Sequence, residues 1–289
     1  MNRITLFTKP WPAMPLLDLA HFVKGMGFDG VELPVRPGYQ VTPERIWTDL
    51  PKAARIFADH GLVIGSVAGN TDEPTIAACG EAGVPIIRVC IGIDMNIGYA
   101  ASEEKVRRAY DALLPLLQKH GVAIGVQNHS GTCVGSAVGI MHLIEGYDPR
   151  FVGAVLDQAH CAVDGEPEEM ALDIVWHHLC LVNFKSASHH RTNLPDAEEA
   201  TWEVVWTTAR HAGFSWRKLV RALKQRGYGR DICFSAEYTD EEKGGQLMGD
   251  AVVPHLSYDL AYLERLLTEE SAAAPAQAGA TDGRSTGKK

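Results

Sequence analysis

No apolar run in this 289-residue chain approaches a bilayer span; the longest resemble Val84-Pro85-Ile86-Ile87, against roughly 20 residues for a membrane helix. The segment from Met1 to Pro10 lacks the long apolar stretch and small-residue cleavage site of a secretory signal. The chain therefore reads as cytoplasmic, with no membrane partner. Clusters of basic residues are scarce too: none exceeds Arg107-Arg108 or Arg217-Lys218, and 27 Lys and Arg face 36 Asp and Glu for a net charge of −9. A nucleic-acid surface needs clustered cations, so nucleic acid is a poor partner. The six cysteines contain no Cys-x-x-Cys pair, which argues against a disulfide framework and a structural zinc knot and leaves them as small core residues. No glycine-rich phosphate loop stands out, so neither a nucleotide cofactor nor a phosphorylated substrate is indicated.

What is present is a chain 46% hydrophobic and 22% charged, the balance of a folded soluble domain. Short apolar runs alternate with longer helical patterns from end to end. The runs fall at 3–7, 30–33, 62–67, 85–90, 122–127, 152–157, 179–185 and 232–237. Helical patterns follow at 15–26, 43–60, 73–82, 102–120, 135–145, 167–177, 215–226 and 251–268. The runs are continuously apolar, as parallel strands buried on both faces require. Breakers such as His60-Gly61, His120-Gly121 and Gly227 close helices just ahead of strands. Eight strand–helix units predict a single-domain α/β fold, a (β/α)8 barrel over 1–270. Two stretches depart from the rhythm. Residues 186–214, with Trp202, Trp206 and His211, are too long for a simple loop and predict an ordered excursion over the barrel mouth. Residues 271–289 are of low complexity without large apolar residues, and predict a disordered tail.

In such a barrel the working residues sit at the C-terminal strand ends. Those ends offer Lys9 and Trp11, Glu32 and Arg36, Asn70, and Arg88 followed by Asp94. The last four strands close on Gln127-Asn128-His129, Asp157-Gln158-Ala159-His160, Asn183-Phe184-Lys185 and Glu237-Tyr238. Polar residues at equivalent points of four successive units are the strongest functional signal in the chain. Each has a plainer reading. Glu237 suits a salt bridge to a barrel residue such as Lys185 or Arg88, Asp157 the N-cap of the turn after its strand, and Arg88 and Glu32 a pair inside the barrel. Trp11, Trp202 and Trp206 suit a wall for a sugar ring and, equally, core or lid packing.

Gly27-Phe28-Asp29-Gly30-Val31-Glu32-Leu33, the Gln127-Asn128-His129 step, Asp157-x-x-His160, Lys185, and Gly227-Tyr228 ahead of Glu237 together resemble the xylose isomerase-like TIM-barrel superfamily. This is the group of sugar phosphate isomerases and epimerases, and the resemblance covers roughly 1–270. It implies a divalent cation (Mn, Mg or another) held by one side chain from each of strands 5 to 8. Carried over, these are Gln127, Asp157, Asn183 and Glu237, so amides stand where a carboxylate and an imidazole are usual. Amide oxygens coordinate hard ions but bring no charge, and His129 or His160 would be substitute ligands.

The same departure bears on mechanism. Gln127 cannot abstract a proton, which closes a two-base epimerisation and leaves Glu237 as the single carboxylate base. One base suffices for isomerisation through an enediol, or for proton abstraction α to a carbonyl followed by elimination. Lys185, His160 and His129 would then stabilise the enolate oxygen or protonate the leaving hydroxyl. His129, Asn128, Arg88, Glu32 and Trp11 are the expected substrate-binding residues. The substrate class so implied is a small sugar, keto-sugar or inositol-like polyol, with a homo-oligomer as the assembly suggested by analogy. A catalytically silent sugar-binding barrel is the competing reading from another class. A DNA-repair nuclease would need a richer metal-ligand set and a basic face.

Overall fold

The computed structural model describes residues 2–211, 214–240 and 242–272. Its strands are β1 (Ile4–Phe7), β2 (Gly30–Pro34), β3 (Val63–Ala68), β4 (Ile86–Cys90), β5 (Ala123–Gln127), β6 (Val152–Asp157), β7 (Leu179–Phe184), β8 (Ser186–Arg191), β9 (Trp202–Thr207) and β10 (Ile232–Phe234). All but β8 and β9 are parallel and close into a barrel in the order β1-β10-β7-β6-β5-β4-β3-β2. The helices are α1 (Leu16–Gly25), α2 (Ile46–Asp59), α3 (Glu73–Ala82), α4 (Tyr99–His120), α5 (Ala137–Ile144), α6 (Gln158–Asp164), α7 (Glu168–Val175), α8 (Trp216–Gln225) and α9 (Val253–Ala272). The (β/α)8 TIM barrel read from the sequence is the fold observed.

Local chemistry explains these elements. In α2 the buried residues Ile46, Leu50, Ala53 and Phe57 recur at helical spacing and face the barrel. Asp72 opens α3 by accepting from the Thr75 N–H at 2.9 Å, and Ser136 opens α5 by accepting from Gly139 at 3.0 Å. Gly121 ends α4 in the left-handed region, with φ 65°. The main core lies between strands and helices, from Leu6, Val31 and Leu33 outward to Phe57, Leu219 and Leu263. A smaller plug of Phe7, Ala68, Val155, Cys180, Leu181 and Cys233 fills the lumen. It is tight: a Cβ on Gly125 would lie 2.7 Å from Val155 and 3.0 Å from Ile86. Cys79, Cys161, Cys180 and Cys233 are buried free thiols, whereas Cys90 is exposed and Cys133 half-buried.

Three boundaries differ from the sequence reading. The excursion at 186–214 contains an antiparallel hairpin, β8 paired with β9 from Ser186–Thr207 to Arg191–Trp202. Residues 158–164, read as a turn, form α6 directly after β6. The eighth barrel strand stops at Phe234, because Ala236 takes φ 51° and breaks the extended path before Glu237. The helix α9 runs through Ala272; the remainder of the predicted disordered tail, 273–289, lies outside the described residues. No helix among the described residues is long and apolar enough to cross a membrane.

Candidate active site

At the C-terminal mouth of the barrel lies a cavity of about 190 Å³. Its wall is built largely from residues two apart on successive strand ends: Phe7 with Lys9, Arg88 with Cys90, Gln127 with His129, and Ser235 with Glu237; Arg36 and Lys185 complete it. Strand pleating accounts for the Arg88–Cys90 pair within β4, since residues i and i+2 face the same side; the other pairs extend past their strand ends.

Glu237 stands at its centre. Its Oε1 accepts from Lys9 Nζ at 2.5 Å and its Oε2 from Lys185 Nζ at 2.7 Å. Burial works to raise this carboxyl, but the two ammonium groups outweigh it and hold it well below the usual carboxylate range. Lys185 is buried, and its ammonium spends its remaining donors on Asp157 Oδ2 at 3.2 Å and His160 Nε2 at 3.0 Å. Burial opposes its charge, but the carboxylates of Asp157 and Glu237 prevail and raise it above the usual lysine value.

Asp157 receives four donors. The backbone N–H groups of Ala159 and His160 reach Oδ1 at 3.1 and 3.4 Å, while Gln127 Nε2 and Lys185 reach Oδ2. It is thus the N-cap of α6 and a member of the site at once. Burial is the largest influence on its carboxyl and pushes it upward, against the lowering effect of Lys185 and the backbone donors. Burial, with Lys185 and His129 nearby, drives His160 far below the usual histidine value and keeps it neutral. Its Nε2 faces the Lys185 ammonium at 3.0 Å, while its Nδ1 faces the Ser130 backbone N–H at 3.2 Å and Ser130 Oγ at 2.9 Å. The His129 ring lies 3.9 Å from the His160 ring, and Trp206 of β9 meets His160 edge-on at 5.0 Å. Lys185 Nζ sits 4.3 Å from the Trp206 ring.

On the other side, Arg88 grips Glu32 through Nε at 2.8 Å and Nη2 at 2.6 Å. Ser66 Oγ donates to the same carboxylate at 2.7 Å. Arg88 Nη1 donates to Gln127 Oε1 at 2.5 Å, which fixes the amide so that its NH₂ faces Asp157 at 2.7 Å. A continuous chain of polar contacts therefore runs Glu32–Arg88–Gln127–Asp157–Lys185–Glu237–Lys9.

The residues expected from the sequence fall into three groups. Glu237, Lys185, Arg88, Gln127 and His129 line the cavity. Asp157, Asn183, His160 and Glu32 are buried among or behind them. Two expected substrate-binding residues sit elsewhere. Asn128 is fully buried and splints β5 to β6, accepting from Asp157 N–H at 2.7 Å and donating to Asp157 C=O at 2.9 Å. Trp11 packs in the core against Phe22 at 4.8 Å, away from the cavity wall. Its place follows from its even offset past β1, opposite in direction to the wall-forming alternation only once the chain turns at 8–11, where Trp11 N–H bonds Thr8 C=O. Lys9, noted only as a strand-end residue, turns out to hold Glu237. Its two-residue offset from Phe7 was the available signal.

Of the four side chains expected to hold a divalent ion, the two carboxylates, Asp157 and Glu237, share the Lys185 ammonium instead. Among the described residues no group of three or more His, Cys, Asp or Glu side chains is arranged to bind a metal. The Gln127 oxygen is committed to Arg88 and the carboxylates to Lys185 and Lys9. Only Asn183 Oδ1 of this set has no partner. As it stands, this donor set does not fit a divalent ion.

Comparison with known proteins defines the class. The chain belongs to the xylose isomerase-like TIM barrel family, whose model matches residues 20–252. Solved structures agree in fold. An L-ribulose 3-epimerase is 16% identical with a TM-score of 0.71, covering 94% of this chain and 97% of its own. A xylose isomerase-like TIM barrel protein from Mycobacterium smegmatis, in complex with magnesium, is 15% identical with a TM-score of 0.64, covering 93% and 98%. A Bacillus anthracis protein described as a "probable 3-DHS dehydratase" is 11% identical with a TM-score of 0.65, covering 91% and 99%. No curated protein matches the chain. At these identities the likeness is one of fold.

Proposed function

We propose that this protein is an isomerase-type enzyme that abstracts a proton α to the carbonyl of a small sugar, keto-sugar or polyol-derived ketone. The observation that carries this reading is a single carboxylate, Glu237, open to the cavity and bridged by two ammonium groups, Lys9 and Lys185. So bridged, Glu237 is a weak base. A substrate carbonyl oxygen entering between the lysines competes for their N–H donors. Each bond that moves from Glu237 to that oxygen raises the basicity of the carboxylate and polarises the carbonyl in one event.

The α C–H bond then breaks towards Glu237. Its electron pair forms the C=C bond of an enediol, and the carbonyl π pair moves onto the oxygen beside the ammonium. Return of the proton to the neighbouring carbon, on the same face, while the hydroxyl proton on that carbon passes to the former carbonyl oxygen, gives isomerisation. Loss of a β-hydroxyl instead gives dehydration, with His129 on the cavity wall placed to protonate the departing oxygen. His160 acts as a positioning residue, since its contact is with Lys185 and not with the cavity.

Glu237→Gln is expected to lower turnover by roughly 10²–10⁴-fold, the usual worth of a positioned general base, with an unchanged circular dichroism spectrum. The measurement is loss of the α-proton signal of keto-sugars in D₂O, wild type against variant. Exchange undiminished in the variant would sink the assignment of Glu237. No exchange by the wild type across a broad panel would favour a silent sugar-binding barrel.

A further inference from the structure

We propose that the Lys185 ammonium is the built-in cation of this centre and that it keeps a divalent ion from the Asp157–Glu237 carboxylate pair. The inference concerns the same site as the proposed enolisation, but its test needs no substrate, so either can fail without the other.

The geometry is exclusive. Lys185 Nζ lies 2.7 Å from Glu237 Oε2 and 3.2 Å from Asp157 Oδ2. An ion coordinated by both oxygens would sit about 2.0–2.6 Å from each, in the space that the ammonium fills. The lysine has little freedom to vacate it. Its side chain is 5% exposed, covered by the Trp206 ring, and tied by its third donor to His160.

Charge points the same way. Lys9, Arg88 and Lys185 balance Glu32, Asp157 and Glu237 one for one. A dication added to this paired, largely buried network would leave two uncompensated positive charges in it. Polarity at Gln127 completes the exclusion. Arg88 orients that amide, so the group facing Asp157 is NH₂, a donor, and not the oxygen a hard ion needs. The amides at Gln127 and Asn183 and the ammonium at Lys185 thus belong together: with an internal monocation in place, neutral partners serve where anionic ligands would overcharge the site.

Mn²⁺ titration of the purified full-length protein, followed by the electron paramagnetic resonance signal of free Mn²⁺, tests this directly. Wild type is expected to bind no equivalent of Mn²⁺ that depends on Asp157. Lys185→Met keeps the stem and removes the charge, leaving two carboxylates without their shared cation. It is expected to bind one equivalent of Mn²⁺ at concentrations where wild type binds none, and to lose that binding when combined with Asp157→Asn. One equivalent bound by wild type and lost in Asp157→Asn would overturn the proposal. So would a folded Lys185→Met protein that still binds none. If Lys185→Met fails to fold, the wild-type and Asp157→Asn titrations decide the question alone.

Discussion

Arg88 spends Nε and Nη2 on Glu32 and Nη1 on Gln127, so one guanidinium sets both the charge beneath the cavity and the direction of an amide in its wall. Glu32 is fully buried, and among the described residues its positive partner is that guanidinium. Arg88→Met should therefore cost about 3–5 kcal/mol of stability, the penalty for stranding a buried charge. Replacing both partners, Glu32→Gln with Arg88→Met, should recover part of the loss; urea denaturation midpoints would check both. The strand-end residues Asp157, Lys185 and Glu237 were legible because the fold places such positions at the mouth. Of Gln127-Asn128-His129 the structure brings the first and third to the cavity and buries Asn128 behind it, since successive residues of a strand face opposite ways. Alternation alone would have kept Gln127 and His129 and sent Asn128 outward. The Glu32–Arg88 pairing, by contrast, was weighed from the sequence as one of two readings, and the structure forms that pair.

The hairpin β8–β9 and the helix α9 are the elements that hold the mouth closed on one side. The Trp206 backbone bonds Thr239 twice, its C=O accepting from Thr239 N–H at 2.8 Å and its N–H donating to the Thr239 side-chain Oγ1 at 2.9 Å. Beyond the hairpin, Asp259 of α9 accepts from the Ala209 N–H at 2.9 Å and from the Tyr238 hydroxyl at 3.0 Å, joining α9 to both segments. Burial raises the Asp259 carboxyl to about 7, against the lowering effect of those two donors. A carboxyl raised on folding contributes stability that is complete below its unfolded value, near 3.9, and is lost as pH rises through about 7. Stability should thus fall between about pH 4 and 7 by up to roughly 1.4 kcal/mol per unit at this site. Asp259→Asn, which mimics the protonated group, should flatten that slope in thermal melts taken across the range. The sequence announced an ordered excursion at 186–214 but not a hairpin. Ser186-Ala187-Ser188-His189-His190-Arg191 is polar and poor in β-branched residues, and its pairing with β9 is a product of tertiary context.

Across the whole molecule, a balanced interior sits within a chain of net charge −9. The paired charges at the mouth contribute nothing to that sum, so the excess negative charge lies outside them. A neutral sugar approaching the cavity feels little of it, and kcat/KM should change by less than about twofold between low and high ionic strength. An anionic substrate would be repelled, and its kcat/KM should rise with salt; a salt series on any active substrate separates the two. The barrel itself was legible because eight apolar runs and eight helical patterns repeat with few alternatives. What the pattern withheld was how the strand ends pair with one another, since such pairing depends on neighbours remote in the chain.

Ala236 carries a cost of a different kind. Its φ of 51° lies in a region where glycine is at ease and a side chain is not, and it directly precedes Glu237. For anyone seeking a sturdier protein, glycine at this position is the obvious substitution, relieving local strain. It would also slacken the one joint that aims the carboxylate between its two lysines. Robustness and aim are set against each other at a single backbone angle, and the chain has settled the conflict in favour of aim.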